Sequence, residues 1–163
     1  EVPWALAFAP DGRLFLTERP GRIRVIKDGQ LLPPPWAELP VAHVGEAGLL
    51  GLALDPRFAE NGYAYVYYTY RDEGGRLWNR VVRLREREGR GAEATVILDG
   101  IPGANIHDGG RLKFGPDGKL YITTGDRPRL PHLLPGPQKP PGPGLAPPNG
   151  QALHHRARPH GQR

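Results

Sequence analysis

Three stretches of the chain repeat one pattern of apolar and polar positions. Residues 4–17 read Trp-Ala-Leu-Ala-Phe-Ala-Pro-Asp-Gly-Arg-Leu-Phe-Leu-Thr, and residues 111–123 read Arg-Leu-Lys-Phe-Gly-Pro-Asp-Gly-Lys-Leu-Tyr-Ile-Thr. A looser copy lies between them, running from Gly51-Leu52-Ala53-Leu54-Asp55-Pro56 through Asn61-Gly62 into Tyr63-Ala64-Tyr65-Val66-Tyr67-Tyr68-Thr69. Phe8, Leu54 and Phe114 are equivalent in the three copies. Each copy joins an apolar strand to a second strand rich in aromatic and β-branched residues. The link contains Pro-Asp-Gly or Asn-Gly, which supplies the positive φ of a tight turn, so each copy predicts a β-hairpin.

Further strands follow the hairpins. Residues 22–27 lead into a turn at Asp28-Gly29, and residues 79–85 and 92–98 are separated by Gly89-Arg90-Gly91, where a second turn is expected. Four strands in roughly fifty residues is the period of a propeller blade. No segment longer than a turn carries a 3.6-residue period. The pattern therefore predicts an all-β chain, an incomplete β-propeller with about two blades and the opening hairpin of a third. An unclosed ring leaves an apolar flank unpaired, and self-association through that edge is expected.

Composition changes abruptly at Asp126. Residues 1–126 hold 16 basic and 17 acidic side chains, whereas residues 127–163 hold 6 basic and no acidic ones. That second segment contains 10 of the 20 prolines and no β-branched residue, so it predicts a disordered or polyproline II tail rather than a packed core. Pro, Gly, Arg and Ala make up 23 of its 37 residues, the signature expected of a shifted reading frame in a GC-rich gene. The division is a partial propeller over residues 1–126 and a basic Pro-rich tail over 127–163. Because the net charge of +5 lies in the tail, no nucleic-acid partner is read from it.

The remaining composition mostly excludes. With no Cys there are no disulfides, zinc-thiolate sites or cysteine nucleophiles. No apolar run approaches the length of a membrane-spanning helix, and the first residues lack the features of a signal peptide. With no Met, the sequence is expected to begin inside a longer or processed chain. Arg outnumbers Lys by 18 to 4, a balance that suits a thermophile or a GC-rich genome.

Candidate chemistry concentrates in Gly103-Ala104-Asn105-Ile106-His107-Asp108-Gly109-Gly110-Arg111 and in Thr123-Thr124-Gly125-Asp126. Two glycines directly after His-Asp let the backbone approach a ligand closely at the start of an innermost strand. Asp126 ends the returning strand of the same hairpin, at the end where His107 begins it. A carboxylate that fixes the tautomer of an imidazole and raises its basicity is what a general base requires. Val44-Gly45-Glu46-Ala47-Gly48-Leu49-Leu50-Gly51 enters the middle blade in the same way, which places Glu46 at that end too. His43, in Pro40-Val41-Ala42-His43, has no such setting and reads as structural or exposed.

These motifs, with Val2-Pro3-Trp4, Thr17-Glu18-Arg19-Pro20-Gly21 and Asp55-Pro56-Arg57-Phe58, resemble the glucose/sorbosone dehydrogenase family over residues 1–126. The family comprises soluble pyrroloquinoline quinone (PQQ) dependent aldose dehydrogenases. The resemblance implies a six-bladed propeller, a PQQ cofactor over its channel, an activating Ca²⁺, an aldose substrate oxidised at C1, and a periplasmic or secreted location. It assigns His107 as the base and Asp126 as the residue that orients it. Glu46 stands where glucose-oxidising members carry a Gln beside the cofactor, and members without that Gln often accept a broad range of aldoses. In the family the cationic side chains that hold PQQ, and the carbonyls that bind Ca²⁺, come from later blades. The chain as written is therefore expected to be inactive by itself. Two other readings compete: a non-catalytic propeller-type binding module, and a lactone-hydrolysing propeller whose metal would have only Glu46, Asn105 and Asp108 as ligands.

Overall fold

Turn chemistry sets the architecture. The computed structural model describes residues 2–125. A first sheet contains β1 (Pro3–Phe8), β2 (Leu14–Glu18), β3 (Arg22–Lys27) and β4 (Gln30–Leu31) in chain order, with β5 (Ala37–Glu38) also paired to β3. A second contains β6 (Leu49–Leu54), β7 (Tyr63–Arg71), β8 (Leu77–Arg87) and β9 (Arg90–Pro102), and β10 (Gly109–Phe114) pairs with β11 (Leu120–Thr124) in a third. Every pairing is antiparallel. The helix among the described residues is the single turn α1 (Phe58–Asn61), which the left-handed Gly62 ends. The all-β expectation, with two blades and the first hairpin of a third, holds.

One turn differs from the sequence reading. The β8–β9 connection is Glu88-Gly89, both at positive φ (51° and 74°), matching Asp28-Gly29 at 51° and 74° in the first sheet. Two left-handed residues in succession make the turn whose twist suits a two-residue hairpin. Arg90 and Gly91 already belong to β9. Gly91 is required by packing instead: a Cβ there would run into the Trp36 ring, and its N–H donates to the Trp36 carbonyl at 2.7 Å.

The three hairpins share one register. Pro3 pairs with Glu18, Leu49 with Tyr68 and Gly109 with Thr124, and each pair is followed by an irregularity before the ladder resumes at Leu6–Leu16, Leu52–Val66 and Leu112–Ile122. Beyond each pair one backbone bond closes the hairpin, from Arg19 N–H to Val2, Thr69 N–H to Gly48 and Gly125 N–H to Asp108. Side chains then join the sheets. The Thr17 hydroxyl accepts from Ala5 N–H and donates to the Leu50 carbonyl of the second sheet at 2.7 Å. Tyr67, at the same place one repeat later, donates its hydroxyl to the Asp108 carbonyl at 3.0 Å.

Two apolar cores result. Phe15, Ile23, Val25 and Trp36 pack with Leu49, Phe58, Val66 and Val82 between the first and second sheets, and Leu50, Tyr67, Val81 and Ile101 pack with Leu112 between the second and third. Each such side chain contributes about 1.5–3 kcal/mol on burial. On β1, Leu6 and Phe8 remain 63% and 76% exposed, which leaves the first sheet with an uncovered apolar flank.

A polar clamp closes the rim of the first interface. Arg13 donates to both oxygens of Glu86 at 2.8 and 3.0 Å and to Asp11 at 2.7 Å, while Trp36 Nε1 donates to Glu86 at 2.9 Å. Phe15 meets Trp36 and Phe58 edge-on, with centroids 5.3 and 5.6 Å away. Glu86→Ala leaves Trp36 Nε1 without its acceptor and Arg13 with Asp11 alone, and should cost about 2 kcal/mol, read as a lower urea midpoint at unchanged slope. Burial pushes the Asp11 carboxyl up, but the hydrogen bonds and charge of Arg13 outweigh it and hold Asp11 below its ordinary 3.8. A depressed carboxyl stabilises the fold above its unfolded pKa and loses that contribution as pH falls through the folded value. Urea midpoints of the native chain and Asp11→Asn should therefore differ above about pH 5 and converge on acidification well below 3.8.

Candidate functional site

Two glycine-punctuated loops meet at one edge of the sheets. The loop entering β6 turns at Gly45 and Gly48, with φ of 54° and 139°, and the loop entering β10 ends at Gly109 and Gly110, with φ of 70° and 93°. These glycines permit close approach: a Cβ on Gly45 would collide with the Asn105 carbonyl, and one on Gly110 would lie 2.8 Å from the Tyr67 ring. Glu46 N–H donates to the Asn105 carbonyl at 2.7 Å, and the Glu46 carboxylate accepts from His107 N–H at 3.2 Å. Arg19, just beyond β2, donates from its guanidinium to the carbonyls of Gly45 and Ala47. The first sheet thus holds the loop of the second, which holds the loop of the third.

His107 is exposed and adopts a left-handed φ of 57°. A non-glycine residue in that region is uncommon and carries a local cost that its surroundings must meet. Glu46, also exposed, lies beside it through the backbone bond already given. Asp126 lies outside the described residues, and Gly125, which precedes it, sits against the His107 carbonyl. His43 is exposed, in keeping with the sequence reading.

Asp108 differs from its reading as an available metal ligand. It is 6% exposed, and its carboxylate is taken up internally. One oxygen accepts from Ala104 N–H at 2.7 Å and from the Asn79 amide at 3.1 Å, and the other lies 3.2 Å from the Thr69 hydroxyl. Thr69 also reaches Asn79 Oδ1 at 2.6 Å. Burial, together with the Asp108 charge, pushes the Tyr67 phenol up, against a smaller opposing effect of Asn79, so Tyr67 stays a donor. Sequence reasoning missed Arg19, Tyr67, Thr69 and Asn79. The signal was a polar pair inside apolar strands, since Thr69 and Asn79 are register partners on β7 and β8.

A cleft of about 400 Å³ runs along β1, β6 and β10, the first strand of each sheet, and Trp4, Arg111, Lys113 and Phe114 are among its walls. The Arg111 guanidinium sits 5.4 Å from the Trp4 ring centroid. Among the described residues no three His, Cys, Asp or Glu side chains converge as a metal site. The three carboxylates of PQQ call for several free cations, but Arg19 is engaged by two carbonyls and Arg111 lies over an aromatic ring. Lys113 is the other cation on the wall of the cleft. No helix among them is long and apolar enough to cross a membrane.

Residues 1–140 match the family model for glucose/sorbosone dehydrogenase, so the chain belongs to that family. A solved structure of a Thermus thermophilus protein, described as a candidate oxidoreductase (glucose dehydrogenase), is 56% identical with a TM-score of 0.70, over 77% of this chain and 38% of that one. The PQQ-bound aldose sugar dehydrogenase of Streptomyces coelicolor is 36% identical with a TM-score of 0.67, over 76% of this chain and 37% of that one. The Hedgehog-interacting protein of Mus musculus is 31% identical over 143 residues, covering 76% of this chain and 20% of its own. The chain spans about a third or less of the curated relatives it matches.

Glycine substitutions separate close packing from turn geometry. Gly110→Ala meets both the Tyr67 ring and a φ of 93°, whereas Gly12→Ala meets a φ of 85° with nothing within 4 Å. Gly110→Ala should cost about 3 kcal/mol and Gly12→Ala about 1 kcal/mol, as measured by urea unfolding of the full chain.

Proposed function

We propose that this chain supplies the catalytic base and part of the channel wall of a PQQ-dependent aldose dehydrogenase, a periplasmic or secreted enzyme that oxidises the sugar at C1. The observation that carries the reading is the His107 backbone. An exposed imidazole whose backbone stands at a φ of 57°, with its N–H held by the Glu46 carboxylate of the neighbouring loop, is an arrangement suited to presenting a side chain to a ligand. The family and the PQQ-bound relative supply the reaction class.

In this reading His107 accepts the proton of the C1 hydroxyl as the C1–H bond breaks, and Asp126 orients the imidazole. Glu46 stands beside the cofactor and ties the two loops together through His107 N–H. The hydride leaving C1 needs an acceptor, which is PQQ in this family, with Ca²⁺ activating it. In the family the groups that hold PQQ and Ca²⁺ come from later blades, so the 163-residue chain alone is not expected to turn over an aldose.

The match to Hedgehog-interacting protein, whose name refers to an interaction and not a reaction, favours a second reading as a binding module. A chimaera separates the two. Residues 1–125 would replace the matching segment of the Thermus protein, to which this chain is 56% identical, and dye reduction would be followed with PQQ, Ca²⁺ and glucose. The dehydrogenase reading expects turnover that falls about 10²–10⁴-fold in His107→Ala. Full activity in that variant would remove His107 from the reaction. A folded, PQQ-loaded chimaera that oxidises no aldose would favour the binding module.

A further inference from the structure

The loop that presents His107 begins where β9 ends, at Pro102, and closes at Asp108, immediately before β10. One side chain of the middle sheet bonds both ends. The Asn79 amide, on β8, donates to the Pro102 carbonyl at 3.2 Å and to the Asp108 carboxylate at 3.1 Å. Both of those groups can only accept, so the orientation of the amide is fixed with its nitrogen toward the loop and its oxygen toward Thr69. The Thr69 hydroxyl lies 2.6 Å from that oxygen and 3.2 Å from the second Asp108 oxygen. Asn79 and Thr69 are both fully buried, so their geometry is set by the packed sheet rather than by solvent. Inside the loop, Ala104 N–H donates to the same Asp108 oxygen that Asn79 holds.

We propose that Asn79, braced by Thr69, is a positioning residue that acts through Asp108 to hold the His107 loop in the conformation that presents the imidazole. A left-handed His107 is not favoured by its own backbone, so the fixed ends at Pro102 and Asp108 impose it. The position of the base is then dictated by the second blade, although the base itself stands at the entry to the third. This inference rests on the reading of His107 as the base and deepens it.

Amide exchange of the isotope-labelled full chain tests the positioning without any turnover. In Asn79→Leu, which keeps the size and loses the donors, the Ala104 and His107 amides should exchange about tenfold or more faster. The Ile23 and Val25 amides in the first sheet should hold their native rates. Acceleration by the same factor in all of these amides would mean that Asn79 merely stabilises the whole fold, and unchanged exchange at Ala104 and His107 would mean that it does not hold the loop. Either result overturns the proposal. If Asn79→Leu does not fold, Thr69→Val, which removes only the hydroxyl, is read by the same criteria. In the chimaera, Asn79→Leu should lower kcat and leave KM nearly unchanged. Selective loosening of the loop with kcat intact would support the positioning and overturn His107 as base, so the two ideas fail separately.

Discussion

A carboxylate withdrawn from water must be met by donors, and the geometry around Asp108 follows from that demand. Its side chain takes an N–H from its own loop, an amide from β8 and the neighbourhood of a hydroxyl from β7, while its carbonyl takes the Tyr67 hydroxyl and the Gly125 N–H. Five groups from four parts of the chain thus converge on one residue. The third sheet is anchored to the second at this point, and His107, one residue earlier, has little freedom left.

The same economy appears one blade earlier in simpler form. Thr17 and Tyr67 occupy the same place in successive repeats, and each sends a hydroxyl from one sheet to the strand entry of the next. Where the first interface uses a short Thr to reach a backbone carbonyl at the start of β6, the second uses a Tyr to reach farther, to the Asp108 carbonyl. The longer reach leaves room for the Thr69–Asn79–Asp108 cluster, for which the first interface has an apolar core and the rim clamp of Arg13, Glu86 and Trp36. A repeated scaffold is therefore specialised at one joint, and that joint carries the candidate base.

Hairpins were legible in the sequence because their turn residues are local: Pro-Asp-Gly and Asp-Gly turn the chain as expected, whereas Asn61-Gly62 ends the helical turn α1 within a longer link between β6 and β7. Gly91 was misread because its reason is distant. It is a glycine for the Trp36 ring, 55 positions earlier in the chain, and no local rule announces that. His107 and Glu46 were found through the density of glycines around them, and the bond between His107 N–H and the Glu46 carboxylate brings them together. Arg19, Thr69 and Asn79 were invisible for the opposite reason, since their partners depend on strand register and on sheet packing. Asp126, the expected orienting partner, lies outside the described residues.

Presentation of the candidate base depends on the backbone of one residue. The sign of the His107 φ angle can be read from the one-bond Cα–Hα and three-bond HN–Hα couplings of the labelled chain. A positive φ near 57° is expected, with the neighbouring Gly109 and Gly110 also on the left-handed side. A His107 averaging over negative φ would mean that the Asp108 cluster does not constrain the loop, and the case for a presented base would fall with it.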